Sequence, residues 1–340
     1  MNKIITTFSS LVAAGRFFNT PLVDLGLKNQ SLAGILMPEH EVGLQRIGIT
    51  DQFLAHAETY SAKYSNEGHF AQLFCDAFAA LGGIPEGGTV LDVGTGSGTN
   101  TIGPLLAQLP GCTIVATDLS PDLLRLLRRF VVTNRLDDRV FCVCTDAMRN
   151  HFEPATFDLV VGAAILHHLL DPIEALRAAH RALKPGGMAI WFEPFEPGVR
   201  MVRFLYKLIL GLHEKGQALD RRVVAAFRAL ILDADTRAGL DRDAPHFKQM
   251  DDKWLFTRTY IERAAIASGF ESFNFVPHAA HGRLYRDIIR IELKMIGGIP
   301  DDALPRWAWE LVDLADANFT DDAKRDMPHE ATIIMRKAKL

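Results

Sequence analysis

The chain has 340 residues, of which 48% are hydrophobic and 23% are charged, so it can bury a full core and is expected to be a folded, soluble protein. This length exceeds an average domain, although a doubly wound α/β domain with an insertion could hold all of it. The formal net charge of −4 gives no general attraction to nucleic acids or anionic membranes, which counts against a nucleic-acid substrate.

The four cysteines, Cys75, Cys112, Cys142 and Cys144, contain no C-x-x-C pair. Cys142 and Cys144 alternate within a segment that has the pattern of a strand, so we expect reduced, buried thiols rather than disulfides or metal ligands. No run of about 18 apolar residues occurs, and no transmembrane helix is expected.

The first 50 residues mix apolar clusters with glycines and prolines, which predicts short helices joined by turns. Ile4, Phe8, Leu11 and Val12 fall on one helical face, which either packs on the main domain or forms a lid over the substrate. Residues 1–15 are also weakly signal-like, so cleavage is the alternative to a helix there.

Residues 51–81 have a helical pattern with two apolar faces, and Gly68 is the expected break between two helices. The first face contains Phe53, Leu54, Ala57, Tyr60 and Tyr64, and the second contains Phe70, Leu73, Phe74, Phe78 and Leu81.

Residues 89–101 read Thr-Val-Leu-Asp-Val-Gly-Thr-Gly-Ser-Gly-Thr-Asn-Thr, which predicts a buried parallel strand, a glycine turn and a helix that begins near residues 99–101. Gly94, Gly96 and Gly98 leave the backbone open to a ligand, and the helix N-terminus offers it free N–H groups. The dinucleotide pattern G-x-G-x-x-G would need a glycine at Thr99, so a nicotinamide cofactor is disfavoured.

Asp92 lies inside the strand, two residues before the first glycine. A buried carboxylate there suits a ligand with an ammonium group better than a pyrophosphate, and S-adenosylmethionine has such a group. The stretch resembles motif I of the class I, Rossmann-like S-adenosylmethionine-dependent methyltransferases. The resemblance implies S-adenosylmethionine as co-substrate and an α/β fold, with a seven-stranded, mostly parallel sheet and helices on both faces.

Further strand patterns alternate with helical ones, at residues 113–117, 139–144, 157–162 and 188–192. Short helical crossovers predict a parallel sheet, and parallel sheets of this kind bind ligands at the carboxyl ends of their strands. Asp118, at the end of the second strand, is placed to accept both ribose hydroxyls. In the resemblance, Asp146 faces the exocyclic amine of adenine with the Ala147 backbone beside the ring; otherwise Asp146 is a turn-forming aspartate.

The segment 57–64 resembles the helix in which family members place an aromatic hydroxyl near the methionine end of the cofactor. Tyr60 and Tyr64 are candidates for this role, with a packed tyrosine as the alternative. The cofactor-binding residues that the resemblance implies are Tyr64, Asp92, Gly94, Thr95, Gly96, Gly98, Asp118, Leu119, Asp146, Ala147 and Ala163.

A Leu-His-His-Leu segment, residues 166–169, stands at the mouth of the fourth strand. The pKa range of histidine suits a general base, so His167 and His168 are catalytic candidates, beside a positioning or structural role. Glu193 at the end of the fifth strand could bind a cationic part of the acceptor, assist deprotonation or hydrogen-bond the sheet edge. The spacing of these three residues is not a zinc pattern, and we expect no metal site.

Beyond Pro194 the regular alternation ends, and most of the added length is helical in pattern. An apolar helix near Gly198 carries Arg200, Arg203 and Lys207, so it is either a cap helix or an interfacial helix for a lipid substrate. The predicted organisation is an N-terminal helical segment or lid (1–50), a cofactor-binding core (51–194), a helical cap insertion (195–255), a core helix and strand (256–276), a second helical insertion (277–330) and a last core strand (331–340).

These patterns together predict methyl transfer from S-adenosylmethionine to an oxygen, nitrogen or carbon of a small-molecule acceptor. A lipid or isoprenoid acceptor is one alternative, a non-catalytic S-adenosylmethionine-binding regulatory module is another, and a nicotinamide dehydrogenase is the competitor from a different enzyme class. We expect a cytoplasmic protein, since an exported one would be separated from S-adenosylmethionine. No nucleic-acid partner and no stable membrane insertion are expected, and a homodimer is compatible with the sequence.

Overall fold

Nine strands form one sheet in the computed structural model of the protein, which describes residues 11–44, 56–81, 87–237, 245–278 and 284–339. Numbered β1 to β9, the strands are Leu22–Asp24, Ile35–Pro38, Thr89–Val93, Thr113–Asp118, Val140–Cys144, Phe157–Ala163, Leu183–Pro194, Ser272–Pro277 and Glu330–Arg336. Their order across the sheet is β1-β2-β5-β4-β3-β6-β7-β9-β8.

The five central strands, β5, β4, β3, β6 and β7, run parallel, and β9 lies antiparallel between β7 and β8. The chain leaves β3 to build β4 and β5 on one side, and then crosses to β6 on the other. The order of the strands therefore reverses between β3 and β6, which is where open α/β sheets bind ligands. The predicted Rossmann-like α/β fold is confirmed.

The N-terminal segment contains the expected short helical pieces, at residues 11–15, Leu25–Leu27, Gln30–Leu32 and Glu39–Glu41, but it also supplies two unexpected strands, which raises the predicted strand count from seven to nine. β2 runs parallel to β5, with Ile35 opposite Cys142 and Leu36 opposite Val143, and β1 pairs antiparallel with β2. An apolar run this short has no recognisable period, so pairing with the buried β5 decides its conformation.

The predicted N-terminal face falls only partly within the described residues. Leu11 packs against the core, whereas Val12 is 63% exposed. Ile4 and Phe8 lie outside the described residues, and the lid role stays a prediction.

From residue 56 onward, twelve α-helices are described, numbered α1 to α12. They are Ala57–Tyr64, Glu67–Leu81, Ile102–Gln108, Pro121–Thr133, Pro172–Ala182, Glu196–Glu214, Arg221–Arg237, Pro245–Gln249, Arg258–Ala267, Leu284–Gly297, Arg306–Asn318 and Asp321–Asp326. The break between α1 and α2 falls at residues 65–66 rather than at Gly68, because the backbone N–H of Asn66 donates to Asn100 Oδ1 instead of continuing the helix. Phe53 and Leu54 of the predicted first face lie outside the described residues.

Helices cover both faces of the sheet. On one face α2, α3 and α4 contribute buried side chains such as Phe74, Leu105 and Leu127. On the other face α5 and α9 contribute side chains such as Leu176 and Ile261. The continuous apolar runs of the central strands follow from this double cover, because both faces of each strand are buried.

A separate hydrophobic cluster joins helices from the two predicted insertions. It combines α6 and α7, which precede residue 255, with α10 and α11, which follow residue 277. Within it the rings of Tyr206 and Phe227 stack with centroids 4.1 Å apart. We call these four helices the cap.

Helix α6 carries the three cations that allowed an interfacial interpretation. All three lie within ion-pair distance of Asp235 on α7, Arg203 at 2.5 Å, Arg200 at 3.2 Å and Lys207 at 3.9 Å. The cations therefore pair inside the cap, which supports the cap-helix interpretation. None of the described helices is both long and apolar enough to cross a membrane.

We expect Gly198→Ala to destabilise the protein by about 1–3 kcal/mol, because a Cβ at Gly198 would overlap the backbone of His329 where α6 begins against β9. Gly211→Ala on the same helix is the matched control. No atom lies within 4 Å of a Cβ there, so this variant should gain about 0.5–1 kcal/mol. Urea unfolding measures both, and equal stabilities would contradict the close contact.

Candidate active site

Three glycines with left-handed backbone shape the turn after β3. The φ angles of Gly94, Gly96 and Gly98 are 70°, 57° and 77°. A Cβ at Gly94 would overlap Ile165 and one at Gly98 would overlap Leu127, whereas one at Gly96 would meet no atom within 4 Å. The first and third glycines therefore allow close packing, and the second leaves the backbone open at the carboxyl end of β3.

Asp92 is completely buried inside β3. Its Oδ2 accepts a hydrogen bond from Thr101 Oγ1 at 2.5 Å, and Oδ1 has no hydrogen-bond partner within the described part of the chain. Burial raises the pKa of Asp92 to about 6. The side chain fixes the start of α3 and keeps one unsatisfied oxygen; its expected contact with an ammonium group stays a prediction.

Asp118 ends β4 beside the glycine turn. One oxygen of its carboxylate accepts from the N–H of Gly96 at 2.8 Å, and the other accepts from the N–H of Ser120 at 2.8 Å. Each carboxylate oxygen can accept more than one hydrogen bond. The group can therefore accept ribose hydroxyls while it still holds the turn.

Helix α1 lies against the glycine turn, where Ser61 Oγ donates to Ser97 Oγ at 2.8 Å. The rings of Tyr60 and Tyr64 lie 4.7 Å apart, and Tyr64 is 39% exposed. Burial, reinforced by the charge of Asp118, raises the pKa of Tyr60. Tyr60 is thus within electrostatic reach of the site, while the predicted contact of Tyr64 remains untested.

The loop after β5 is held by Glu41, a residue that the sequence did not single out. Glu41 is buried, and its Oε1 accepts from Thr145 Oγ1 at 2.7 Å and lies 2.5 Å from His151 Nε2. Asp146, which follows Thr145, forms a turn in which its Oδ1 accepts a hydrogen bond from the N–H of Met148 at 2.9 Å. The N-terminal segment therefore supports the loop in which the adenine contact is predicted.

The remaining predicted contacts follow the same edge of the sheet. Thr95 follows β3, Leu119 follows β4, Ala147 follows β5 and Ala163 ends β6. With the exception of Tyr64, the predicted cofactor residues thus lie in or at the carboxyl ends of four adjacent strands.

Glu193, near the end of β7, is almost completely buried and accepts several hydrogen bonds. Its Oε1 accepts from the N–H groups of Ile165 and Leu166 at 3.1 and 2.7 Å, and its Oε2 lies 2.7 Å from His167 Nδ1. These bonds form the short helical turn Leu166–His168. Glu193 thus supports this turn at the edge of the sheet. Of its three predicted roles, this matches hydrogen bonding of the sheet edge.

The two histidines differ in protonation. Burial alone would lower the pKa of His167, but Glu193 and Asp252 outweigh it and raise the pKa to about 9. Burial and the neighbouring charge of His167 lower the pKa of His168 to about 3. At neutral pH His167 is therefore charged and His168 is neutral.

His168 has a defined tautomer. Its Nδ1 lies 3.0 Å from the carbonyl oxygen of Asp251 and 3.2 Å from Asp252 Oδ1, and both of these atoms accept hydrogen bonds. Nδ1 therefore carries the proton, and Nε2 carries the lone pair.

Residues 251–254, which were not expected at the site, complete this histidine cluster. The N–H groups of Lys253 and Trp254 donate to the carbonyl oxygen of His167, at 2.7 and 3.2 Å. Asp252 Oδ1 lies 3.5 Å from His167 Nε2. The only signal in the sequence is the Asp-Asp-Lys-Trp run, and nothing in its spacing links it to residues more than 80 positions earlier.

Ligand-type atoms of His167, His168 and Asp252 all lie within 4.8 Å of one another. His167 lies between the carboxylates of Glu193 and Asp252, and its protonated ring compensates their negative charge.

Residues 91–191 match a family model described as a methyltransferase domain. An uncharacterized protein of Haemophilus influenzae is 34% identical over 119 residues, covering 34% of this chain and 46% of that protein. A demethylmenaquinone methyltransferase of Lactiplantibacillus plantarum is 34% identical over 116 residues, covering 34% of this chain and 48% of that protein. A demethylmenaquinone methyltransferase of Staphylococcus aureus is 31% identical over 126 residues, covering 37% of this chain and 51% of that protein. The chain spans about half the length of these curated relatives.

Two solved structures of phosphoethanolamine N-methyltransferase 2 from Haemonchus contortus share the fold, one of them in complex with S-adenosyl-L-methionine. Their TM-scores are 0.51 and 0.50 at 17% and 18% identity, covering 84% of this chain and 57% of those chains. Residues 91–191 are therefore a methyltransferase domain, and the chain has the Rossmann-like fold of class I S-adenosylmethionine-dependent methyltransferases, as its sequence indicated.

Proposed function

We propose that the protein transfers a methyl group from S-adenosylmethionine to a small-molecule acceptor. The observation that carries this proposal is the bond from the Gly96 N–H to Asp118, at the one glycine of the turn where the backbone is open. A carboxylate held at this open point suits a ligand with ribose hydroxyls, because each of its oxygens can accept a further hydrogen bond. The point also lies where the strand order reverses, which supports a ligand site.

S-adenosylmethionine, when bound, supplies a methyl group that its sulfonium already activates. The protein then has to align the acceptor and exclude water. A general base is needed only for an acceptor that arrives protonated. We assign that role to His168, whose neutral ring keeps a lone pair on Nε2, and a positioning role to His167, whose charge is held by Glu193 and Asp252.

For the acceptor, the two alternatives are a water-soluble molecule and a lipid or isoprenoid. Two relatives carry the name demethylmenaquinone methyltransferase, and α6 exposes Phe204 and Leu208 four residues apart, which keeps a lipid or isoprenoid acceptor as the alternative. Against it, the three cations of α6 all lie within ion-pair distance of Asp235 on α7 and so face the cap. We therefore favour a water-soluble acceptor, and a cytoplasmic location and a homodimer stay predictions.

Asp118→Asn should weaken binding of S-adenosylhomocysteine by on the order of 2 kcal/mol, about 30-fold, because the amide offers one acceptor oxygen instead of two. Isothermal titration calorimetry measures the affinity. Asp122→Asn, which removes an exposed carboxylate in the first turn of α4, is the control and should bind like the unmodified protein. Unchanged affinity in Asp118→Asn would place the ribose elsewhere, and binding of reduced nicotinamide dinucleotide instead would favour a dehydrogenase.

The charge of His167 predicts a pH-dependent stability. Its pKa in the folded state, about 9, lies above the ordinary value of 6.5, so its stabilising contribution is complete below pH 6.5 and is lost as the pH rises to 9. The free energy of unfolding should fall by on the order of 3 kcal/mol over this window. In His167→Gln this fall should disappear, whereas His213→Gln, at a partly exposed histidine near the end of α6, should retain it. Urea unfolding between pH 7 and 9 measures this dependence. The same change in the free energy of unfolding with pH in all three proteins would refute a charged His167.

If His168 is the base, His168→Gln should lower the rate of methyl transfer by about 100-fold or more, with the affinity for S-adenosylhomocysteine nearly unchanged. Transfer of labelled methyl groups to candidate acceptors measures the rate, and His213→Gln again serves as the control. A normal rate in His168→Gln would leave this residue a positioning role only.

A further inference from the structure

A second group of ligand-type side chains lies at the carboxyl edge of the sheet, on the other side of β7 from β6. It consists of His69 in the first turn of α2, His278 directly after β8, and Glu330, the first residue of β9. One ligand atom of each lies within 4.8 Å of the others. We call these residues the edge cluster.

His278 has a buried nitrogen without a partner. Its side chain is 9% exposed, and its Nε2 lies 2.8 Å from Thr332 Oγ1. Nδ1 has no hydrogen-bond partner within the described part of the chain. The carboxylate oxygen Oε2 of Glu330 lies 3.6 Å from Nδ1, which is longer than a hydrogen bond. An unpaired imidazole nitrogen therefore faces a carboxylate across a gap.

The surroundings of His278 fix its orientation. Its backbone N–H donates to the carbonyl oxygen of Glu330 at 3.0 Å, which continues the pairing of β8 with β9. Its ring contacts Phe192 and His69, each with centroids 6.2 Å apart. A bond from Nε2–H to Thr332 is the arrangement that leaves Nδ1 with a lone pair toward the gap, as outer hydrogen bonds do for metal-binding histidines.

We propose that the edge cluster binds a divalent transition-metal ion of the zinc type, through His278 Nδ1, a ring nitrogen of His69 and the carboxylate of Glu330. Two imidazoles and one carboxylate form a ligand set that suits zinc and its neighbours in the first transition series. Ligands at about 2.1 Å from a tetrahedral ion lie about 3.4 Å apart, so a shift on the order of 1 Å closes the cluster around it. The exposed His69 is the ligand that can make this shift.

The chemistry of the cluster suits a cation. Imidazoles bind metals in the neutral form and carboxylates in the ionised form, and the cluster places one carboxylate beside two imidazoles.

The position of the cluster separates it from the methyl donor site. β9 is the third strand from β3, and adjacent strands lie about 4.8 Å apart, which puts the cluster on the order of 14 Å from the glycine turn. Three protein ligands leave the ion an open coordination position. The metal site stands independently of the proposed methyl transfer, since its evidence comes from other residues.

Two other groups of ligand-type atoms provide internal comparisons. In one of them, His40, Glu41 and His151, the carboxylate already accepts from Thr145 and contacts His151 at 2.5 Å. In the other, the protonated His167 already compensates the charge of the two carboxylates beside it, as described above. We expect neither of them to bind the ion tightly.

The test is titration of the full-length, chelator-treated protein with Zn²⁺ by calorimetry and with Co²⁺ by visible absorption. The expected result is one tight site, with Co²⁺ bands typical of nitrogen and oxygen ligands. His69→Ala should weaken Zn²⁺ binding by more than 10-fold, since even loss of an outer-shell partner costs 10–100-fold. This histidine is exposed, so its removal leaves the core intact.

The matched control is His40→Ala, an exposed histidine of the comparison cluster, which should bind Zn²⁺ like the unmodified protein. Glu330→Gln should also weaken Zn²⁺ binding, and this effect does not depend on His69. The proposal is overturned if the unmodified protein does not bind Zn²⁺, if His69→Ala and Glu330→Gln bind it normally, or if His40→Ala abolishes binding. It is also overturned if ¹⁵N NMR shows His278 as an imidazolium whose signals do not change with Zn²⁺.

Discussion

The carboxyl edge of the sheet, where the site lies, depends on the buried carboxylate of Glu193. A carboxylate removed from water is costly unless donors surround it, and here backbone N–H groups and the charged ring of His167 do so. The turn that these bonds create presents the carbonyl oxygen of His167 to Lys253 and Trp254. One buried charge therefore joins the end of β7, the histidine pair and the segment that returns from the cap.

The parallel core could be predicted from the sequence because its signals are local. Each central strand is a short apolar run, and glycine or proline stands at many of the junctions with the helices. The glycine turn, Asp118 and Asp146 occupy the ends of successive strands, so their proximity follows from the parallel arrangement alone. For the same reason the histidine pair could be placed at the edge of the sheet without knowledge of its partners.

The remaining features could not be predicted because the contacts that define them are distant in the chain. Glu41 meets Thr145 across 104 positions, and His168 meets the Asp251 carbonyl across 83. Nor does the apolar run that forms β2 indicate a strand until β5 is there to pair with it. The opposite protonation of His167 and His168 likewise depends on residues that the spacing does not connect.

The two N-terminal strands also determine what the sheet exposes at its edge. An open strand presents unpaired N–H and C=O groups that can pair with another chain. Without β1 and β2 that edge would be β5, whose five residues are apolar and buried. The sheet ends instead in the three-residue β1, and the carboxylate of Asp24 occupies the N–H groups of Gly26 and Gly34. The N-terminal segment thus covers the apolar edge that β5 would otherwise present to another chain.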